Sequence, residues 1–448
     1  MSLRVTGNAD NTGGVFFSTR FLEESIVSIH ALRGMNDLQP PDIALWQEVE
    51  AKARELFGRY LYEEIRTPIL EDMSLFTRTI GDTTNIVEKE MYVFQDRNAK
   101  WVALRPEGTA SVVRAYVEHK RFADDPIARY YYMGPMYRYE RPQKGRFRQF
   151  YQMGVEVFGI ASPRLDAEVI NMLDLYLKEL GLKNLEMEIN SLGCQICRPN
   201  FLKAFLDHIL KNESRLCPDC KRRMERNALR VLDCNQEECQ KVTEEGPSIQ
   251  EFLCDVCEKD FDCVLETLGV LGSTYKVNSK IVRGLDYYLK TTFEFKSSEL
   301  GAQNAIAGGG RYDGLIRLLG GPNIPGFGFA IGMERLVEVV REQRKLSGQG
   351  LRDGERRGVF VAAMGDRAMG EAMRIAAELR RSGIPVDLDY EGKSLKSQMR
   401  RADKTGARYV ALLGSDELAK KSVSLRDMVS GDQESVAFSN LLSRLQKT

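Results

Sequence analysis

The chain has 448 residues, enough for two or three domains, and its 64 Lys and Arg residues equal its 64 Asp and Glu residues. The net charge of zero excludes overall basicity as a means of binding nucleic acid, so any such partner must contact local patches. No apolar run reaches the length of a membrane span, and the first 28 residues lack the apolar core and cleavage site of a secretory signal. We therefore expect a cytosolic protein with a flexible N-terminal extension over residues 1–28.

In chain order, the sequence first predicts a helix followed by a strand. An amphipathic helix is expected over residues 41–60, with Trp46 and Val49 on its apolar face, followed by a strand in EEIRTPIL. Two short strands, EMYVFQ and KWVALR, lead to a strand-to-helix junction in RPEGTASVV. Glu107 and Thr109 stand near the N-terminus of that helix, so Glu107 either caps the helix or faces a ligand.

The next segment predicts a β-hairpin with one polar face. Two strands, MGPMYRYE and RFRQFYQMGVEVFG, flank the short polar segment RPQKG. Strand alternation places Gln152, Gly154 and Glu156 on one face of the second strand, and Arg138 and Glu140 on one face of the first. This number of polar groups on one face indicates a ligand. The alternative is a hairpin with a solvated face.

Beyond the hairpin, a helix over 163–180 and a strand in LEMEIN lead into a charged, helical block at 193–268. Strands resume in LDYYLKTTFEFK and in the glycine-rich segments AIAGGGRYDGL and PGFGFAIGMERL, so a β-rich core brackets a helical insertion. A Gly- and charge-rich linker is predicted over 344–357. The alternation βαβαβ after it predicts a small α/β domain at 358–448 with a largely parallel sheet.

All nine cysteines lie in the helical insertion. Four of them have spacing typical of a structural zinc site: Cys217, Cys220, Cys234 and Cys239. The pair Cys254 and Cys257 would be able to replace one half of this set. Reduced thiols are the alternative, and zinc is not the expected outcome.

The polar residues favour electrostatic rather than covalent catalysis. None of the three histidines stands in a nucleophile–base arrangement, and P-loop and Rossmann phosphate motifs are missing from the sequence. In PGFGFAIGMERL, small residues occupy one strand face and Arg335 begins the following helix. Arg311 follows three glycines in AGGGRYDGL, and Arg283 precedes two tyrosines in IVRGLDYYLK. Arginines beside glycine-rich strands suit the stabilisation of a phosphate-bearing transition state.

These segments together resemble the histidyl-tRNA synthetases, a family of class II aminoacyl-tRNA synthetases, over nearly the whole chain from Ile29. LRGMNDLQP resembles the family's opening segment, and the helix and strand after it resemble the first class II motif, which implies a homodimer interface. YRYERPQKGRFRQFYQMGVEVFG resembles the second motif and GFGFAIGMERL the third. VRGLDYY and AGGGRYDGL resemble two signatures of the histidine enzymes and are the most specific.

The resemblance implies a role for each matched residue. Arg283 and Arg138 would be catalytic, with Arg283 at the reacting α-phosphate. The residues implied around the amino acid are Glu107, Thr109, Gln152, Glu156, Tyr287 and Tyr288. The residues implied at ATP are Arg138, Arg335, Arg311 and Glu140. Gln143 and Arg146 would contact the acceptor end of the tRNA.

The resemblance also implies the fold class and the reaction. An α+β catalytic domain with a mainly antiparallel sheet would occupy 29–192 and 269–343, with a Cys-rich helical insertion at 193–268 and an α/β anticodon-binding domain at 358–448. The chain would activate L-histidine with ATP and Mg²⁺ and transfer it to tRNA(His), as a cytoplasmic homodimer without a membrane partner.

Two other classes of function remain as alternatives. A synthetase-like regulatory subunit would keep the fold without the reaction, and we would expect it to lack the arginine of VRGLDYY or the anticodon-binding domain. This chain has Arg283 and the C-terminal domain. A zinc-dependent RNA-binding module would account for the cysteines alone.

Overall fold

The computed structural model describes residues 29–81, 84, 86–143, 145–300, 304–346 and 356–446. They divide into two compact units. The first contains the chain up to Gln39, Ala53–Tyr176 and Leu185–Leu336, and the second contains Pro40–Lys52, Leu177–Asn184 and the chain from Val337. The predicted extension at 1–28 and most of the predicted linker lie outside the described residues. Among those described, no helix is long and apolar enough to cross a membrane.

The first unit contains eleven strands within its described residues. In chain order they are β1 (Glu63–Glu64), β2 (Leu70–Asp72), β3 (Val93–Gln95), β4 (Trp101–Leu104), β5 (Ala128–Tyr137), β6 (Gln149–Phe158), β7 (Leu185–Ser191), β8 (Lys276–Val277), β9 (Leu289–Ser297), β10 (Ala305–Arg311) and β11 (Gly326–Gly332). Eight of them form a mainly antiparallel sheet in the order β1-β5-β6-β11-β10-β9-β7-β8, and the rest form a small sheet in the order β2-β4-β3.

Ten α-helices lie between residues 42 and 346 of the described chain. They are α1 (Asp42–Arg59), α2 (Met73–Ile80), α3 (Thr109–Glu118), α4 (Pro163–Glu179), α5 (Arg198–Lys211), α6 (Pro218–Arg226), α7 (Glu237–Glu244), α8 (Asp255–Val270), α9 (Leu315–Leu318) and α10 (Met333–Leu346). Helices α5 to α8 follow one another without a described strand between them, as predicted for the insertion. Helix α10 extends to Leu346, so the beginning of the predicted linker is helical.

The main sheet has one apolar face and one polar face where β6 pairs with β11. Val155 faces Phe329 across the two strands, and both side chains are buried. The alternate positions bring Gln152 opposite Gly332 and Glu156 opposite Gly328. Because side chains alternate along a strand, this register separates the core from the polar groups.

Two details of the predicted strands are wrong. The stretch EEIRTPIL is not one strand but two, because β1 and β2 belong to different sheets and Pro68, which has no N–H to donate, lies between them. In the hairpin, β5 ends at Tyr137 and β6 begins at Gln149. Arg138 and Glu140 therefore lie in the connection, not on a strand.

The second unit contains a separate five-stranded sheet. Its strands are β12 (Val359–Ala363), β13 (Val386–Leu388), β14 (Tyr409–Leu413), β15 (Ser422–Asp427) and β16 (Gln433–Ala437), in the order β13-β12-β14-β15-β16. Its helices are α11 (Asp366–Arg381), α12 (Leu395–Lys404), α13 (Ser415–Lys420) and α14 (Phe438–Gln446). The first three strands are parallel, as predicted, whereas β15 and β16 add an antiparallel hairpin that the sequence interpretation missed. The predicted fold class is confirmed.

Candidate active site

A cleft with a volume of about 310 Å³ lies on the polar face of the main sheet. Its floor includes Gln152 of β6, Gly308 of β10 and Ala330 of β11. The structure brings most of the predicted site residues to its lining: Glu107, Thr109, Arg138, Glu140, Arg146, Gln152, Arg283, Tyr287, Tyr288 and Arg335. Three predicted residues are not among the lining residues: Gln143, Glu156 and Arg311.

Glu107 caps a helix and also lines the cleft, so its capping role does not exclude a contact with a ligand. Its carboxylate oxygens accept hydrogen bonds from the backbone N–H groups of Thr109 (2.7 Å) and Ala110 (2.8 Å) at the start of α3. Only 3% of the residue is exposed. Burial raises the pKa of Glu107, although the two N–H groups oppose the shift. The carboxylate is thus fixed in position at the edge of the cleft.

Glu156 is fully buried beside the cleft. Its carboxylate accepts hydrogen bonds from the hydroxyl of Thr109 (2.6 Å) and from the hydroxyl of Tyr312. Burial raises the pKa of Glu156 from its ordinary value of 4.5 to about 8, although both hydroxyls favour the charged form. Because Thr109 lines the cleft, its hydroxyl connects Glu156 to the cleft.

Gln152 and Tyr287 present buried polar atoms to the cleft. Gln152 Oε1 and the Tyr287 hydroxyl have no hydrogen-bond partner within the part of the chain that the structure describes. The ring of Tyr287 lies 4.7 Å from that of Tyr288, measured between centroids. A buried polar atom without a partner costs about 1–3 kcal/mol, so both atoms favour a ligand that supplies hydrogen bonds.

Arg283 is held at the cleft by an ion pair. Its Nη1 donates to Glu294 of β9, and each side chain is 19% exposed. Burial alone would lower the pKa of Arg283, but the Glu294 carboxylate raises it, so the guanidinium is charged. Gly308 makes the guanidinium's position available, because a Cβ at Gly308 would lie 2.6 Å from Arg283 Nη1.

Two further predicted arginines are fixed mainly by backbone carbonyls. Arg138 Nε donates to Pro106 O at 3.0 Å, and its guanidinium lies 5.1 Å from the ring centre of Phe150. Arg335 Nη1 donates to Ala305 O at 2.8 Å, and its Nε donates to Gly145 O at 3.2 Å. Backbone carbonyls therefore hold both guanidinium groups at the lining of the cleft.

The loop between β5 and β6 forms a tight turn at the cleft. Gln143 and Arg146 exchange backbone hydrogen bonds of 3.1 and 2.9 Å, and Arg146 forms an ion pair with Glu140 at 3.0 Å. Gln143 is exposed at one end of the turn. Because Arg335 bonds Gly145 O, the loop and the cleft are connected.

Arg311 does not reach the cleft, contrary to the sequence interpretation. Its guanidinium is 1% exposed and binds both carboxylate oxygens of Asp166, as well as Asp313 and Ile160 O. The arginine that follows the glycine triplet is thus a buried structural residue. Burial raises the pKa of Asp166 to about 6 even though Arg311 opposes the shift.

The glycine-rich strand β11 opens to the cleft only at its end. A Cβ at Gly328 would collide with the carboxylate of Glu156, and one at Gly326 with the ring of Tyr312. At Gly332 the nearest atom to such a Cβ is Ile306 O at 3.8 Å. Protein side chains therefore fill half of the strand face that the small residues occupy, and a ligand has access only to the other half.

Three residues of this site were missed in the sequence. Glu294 alternates with Lys296 on one strand face, and this polar pattern is the sequence signal that marks Glu294. Tyr312, which bonds Glu156, directly follows Arg311. Asp233 lines the cleft from the helical insertion, and nothing in its local sequence indicates this.

Two family models match the chain. A model described as "Histidyl-tRNA synthetase" matches residues 34–207 and 223–336, and one described as "Anticodon binding domain" matches residues 358–448. The first covers the main sheet and the cleft, and the second covers the separate five-stranded sheet. The two matches cover separate parts of the chain.

Relatives and solved structures agree with these matches. The histidine–tRNA ligase of Geobacter sulfurreducens is 50% identical over 408 residues, covering 91% of this chain and 97% of the relative. That of Thermodesulfovibrio yellowstonii is 49% identical over 416 residues, covering 93% and 98%. The crystal structure of apo S. aureus histidyl-tRNA synthetase has a TM-score of 0.78 at 35% identity, covering 94% of this chain and 100% of that chain.

A second solved structure is similar in fold alone. It is described as an ATP phosphoribosyltransferase regulatory subunit/histidyl-tRNA synthetase from Bacillus halodurans C, with a TM-score of 0.62 at 22% identity. It covers 83% of this chain and 96% of that chain. This fold is therefore not by itself a sign of one activity.

Proposed function

The chain belongs to the histidyl-tRNA synthetase family, and from that premise we propose that it is a histidine–tRNA ligase acting at the cleft described above. It activates L-histidine with ATP to histidyl-adenylate and transfers histidine to the 3′ end of tRNA(His), releasing AMP and diphosphate. The observation that carries the proposal is the joint lining of one cavity by Arg138, Arg283, Arg335 and the buried carboxylate Glu107. This set complements a substrate with an ammonium group and a polyphosphate.

The amino acid binds in the part of the cleft that Glu107, Gln152 and Tyr287 line. The carboxylate of Glu107 binds the ammonium group, using lone pairs that its two backbone donors leave available. Gln152 Oε1 and the Tyr287 hydroxyl acquire the hydrogen bonds that they lack within the described chain. Tyr288 contacts one imidazole nitrogen. Glu156 acts on the other through the hydroxyl of Thr109, which links its carboxylate to the cleft. Recognition of a polar side chain by buried polar groups rejects apolar amino acids strongly.

ATP binds between the two arginines that backbone carbonyls hold. Arg138 and Arg335 contact its phosphates or stack on its base, and Glu140 lies beside them on the same lining. ATP carries Mg²⁺, and the carboxylate of Glu140 would provide an oxygen ligand of the kind that this ion prefers. Bound in this way, the ion would neutralise charge on the phosphates.

Arg283 stabilises the transition state of activation. When the histidine carboxylate attacks the α-phosphate, negative charge builds up on the oxygens of the pentavalent phosphorus. A guanidinium anchored in advance by Glu294 offsets that charge without reorganising. Arg283 Nε is buried without a hydrogen-bond partner in the described chain and is available for a phosphate oxygen.

The tRNA contacts two separate parts of the chain. The turn containing Gln143 and Arg146 meets the acceptor end, since Arg146 lines the cleft and Gln143 is exposed beside it. The C-terminal domain, which matches the anticodon-binding family, binds the anticodon. Because charging of tRNA is a step of translation, we expect the protein in the cytoplasm.

The protein acts as a homodimer. Strand β1 is short and lies at the edge of the main sheet, where its outer backbone groups are available to another chain. Three large apolar residues near it are exposed: Leu61 (75%), Ile69 (40%) and Leu70 (44%). Sedimentation velocity should give twice the chain mass of 50.8 kDa. A single species at the chain mass would rule the dimer out.

Amino-acid-dependent ATP–pyrophosphate exchange tests the activation step. Each of the twenty amino acids is offered in turn, and only histidine should support rapid exchange. A synthetase-like regulatory subunit would bind histidine without exchange. Folded protein that binds histidine but exchanges no pyrophosphate would therefore favour that alternative over the ligase.

A further inference from the structure

Eight of the nine cysteines gather into two sets of four. The first set, the root site, consists of Cys194, Cys197, Cys254 and Cys257, and the second, the inner site, consists of Cys217, Cys220, Cys234 and Cys239. Within each set, all four Sγ atoms lie within 4.8 Å of one another. The two halves of the root site are about 60 residues apart in the chain, so the fold itself brings them together.

The separations between sulfurs match one tetrahedral metal ion. In the root site the Sγ atoms of Cys194 and Cys197 are 3.6 Å apart, and those of Cys197 and Cys257 are 3.8 Å apart. In the inner site the Sγ atoms of Cys217 and Cys234 are 3.9 Å apart. A disulfide would join two sulfurs at about 2.0 Å. Four ligands at about 2.3 Å from one zinc ion leave about 3.8 Å between neighbouring sulfurs.

Backbone donors are directed at the sulfurs of both sites. In the root site Cys194 N donates to Cys197 Sγ at 3.0 Å, and Ile196 N donates to Cys194 Sγ at 3.4 Å. In the inner site Cys217 N donates to Cys239 Sγ at 3.2 Å. Such donors stabilise thiolates, which are the form of cysteine that binds metal. Cysteines that only fill a core need neither a common centre nor these donors.

We propose that each of the two sites binds one structural zinc ion through four thiolates. The sequence alone offered one such site and favoured reduced thiols, and it did not predict the root site. Four sulfur ligands in tetrahedral arrangement suit zinc or an iron–sulfur cluster. A cluster would hold its four cysteines farther apart, because they are distributed over two or four irons, so sulfurs within 4.8 Å of one another point to a single ion.

The root site closes the base of the insertion. Cys194 and Cys197 follow β7, and Cys254 and Cys257 stand at the start of α8, so the ion joins the segments through which the chain leaves and rejoins the main sheet. Arg198, next to Cys197, donates to Tyr288 O at 2.6 Å. The root zinc therefore positions the segment that carries Tyr288 into the cleft. The inner site ties α6 and α7 together within the insertion.

Metal analysis of the full chain, purified without chelators, tests this proposal. The wild-type protein should contain two zinc ions per chain by mass spectrometry, and cobalt(II) in their place should give the intense visible absorption of a tetrathiolate site. Cys254→Ser/Cys257→Ser should retain one ion, held at the inner site, and Cys217→Ser/Cys220→Ser should retain one at the root site.

The ninth cysteine provides a matched control. Cys263 lies in α8 outside both sites, so Cys263→Ser should keep two zinc ions. In native protein only Cys263 should react rapidly with a thiol reagent. Because the wild-type measurement needs no variant to fold, misfolded variants would not obscure the result. One zinc ion or fewer per wild-type chain, or iron with sulfide in place of zinc, would overturn the proposal.

Discussion

Replacing Arg283 with Ala should slow activation of histidine without weakening the binding of either substrate. The variant removes the guanidinium but does not leave the Glu294 carboxylate without a cation, because Lys296 Nζ lies 3.9 Å from it. The structure leaves Arg283 Nε and at least one terminal nitrogen for a charged phosphate oxygen. Hydrogen bonds to charged groups are worth about 1.5–3 kcal/mol each, so losing two bonds near the lower end of that range costs about 3–4 kcal/mol. The rate should fall by roughly 10²–10³.

Single-turnover formation of histidyl-adenylate gives the rate, and calorimetric titration gives the affinities for ATP and for histidine. Glu294→Gln is the matched control, because it keeps the guanidinium and loosens only its anchor. It should show a smaller loss of rate at similar affinities. Should Arg283→Ala lose affinity for ATP or histidine by the same factor as it loses rate, Arg283 would act on ground states and the transition-state role would be refuted.

Three other variants separate the scaffold from the site. Arg311→Met should lower the free energy of unfolding by about 3–5 kcal/mol in urea titrations, because it leaves Asp166 buried without its cation. Gly328→Ala should lower the melting temperature, since its methyl group collides with Glu156, whereas Gly332→Ala should keep it and raise the KM for ATP. Between about pH 4.5 and about pH 8, the folded chain holds a proton on Glu156 that the unfolded chain releases. The free energy of unfolding should therefore decrease as the pH rises through this range, and it should decrease less steeply in Glu156→Gln. The role of Arg311 would be contradicted by unchanged stability in Arg311→Met, and the glycine assignments by equal melting temperatures of the two glycine variants. The protonation of Glu156 would be contradicted if the free energy of unfolding had the same pH slope in wild type and Glu156→Gln.

Periodicity predicted the elements that have strong local signals. Helix α1 and the hairpin β5–β6 were readable because apolar residues recur at helical spacing in the first and aromatic and β-branched residues dominate the second. The end of β5 was misjudged because YRYE favours a strand locally, whereas the backbone N–H of Tyr139 donates to Glu90 O, outside the hairpin, and not to β6. The hairpin β15–β16 was missed although its alternating strands flank a glycine turn at Gly431.

The site was predictable where a residue's chemistry and its strand position agree. Gln152 and Arg335 lie where face alternation and the helix start place them. Arg311 was misassigned because the sequence near the glycine triplet does not show that Asp166, about 145 residues away, binds its guanidinium. The position of Asp233 at the cleft and the proximity of Cys194 to Cys254 also depend on long-range packing. Local sequence patterns do not record such packing.

Charging of unfractionated tRNA with each labelled amino acid tests the central assignment most directly, because it requires the cleft, the loop at 143–146 and the C-terminal domain at once. The account predicts that histidine alone is transferred, that the product is tRNA(His), and that transfer requires ATP. Transfer of a different amino acid, or none with histidine from folded protein that binds it, would contradict the account.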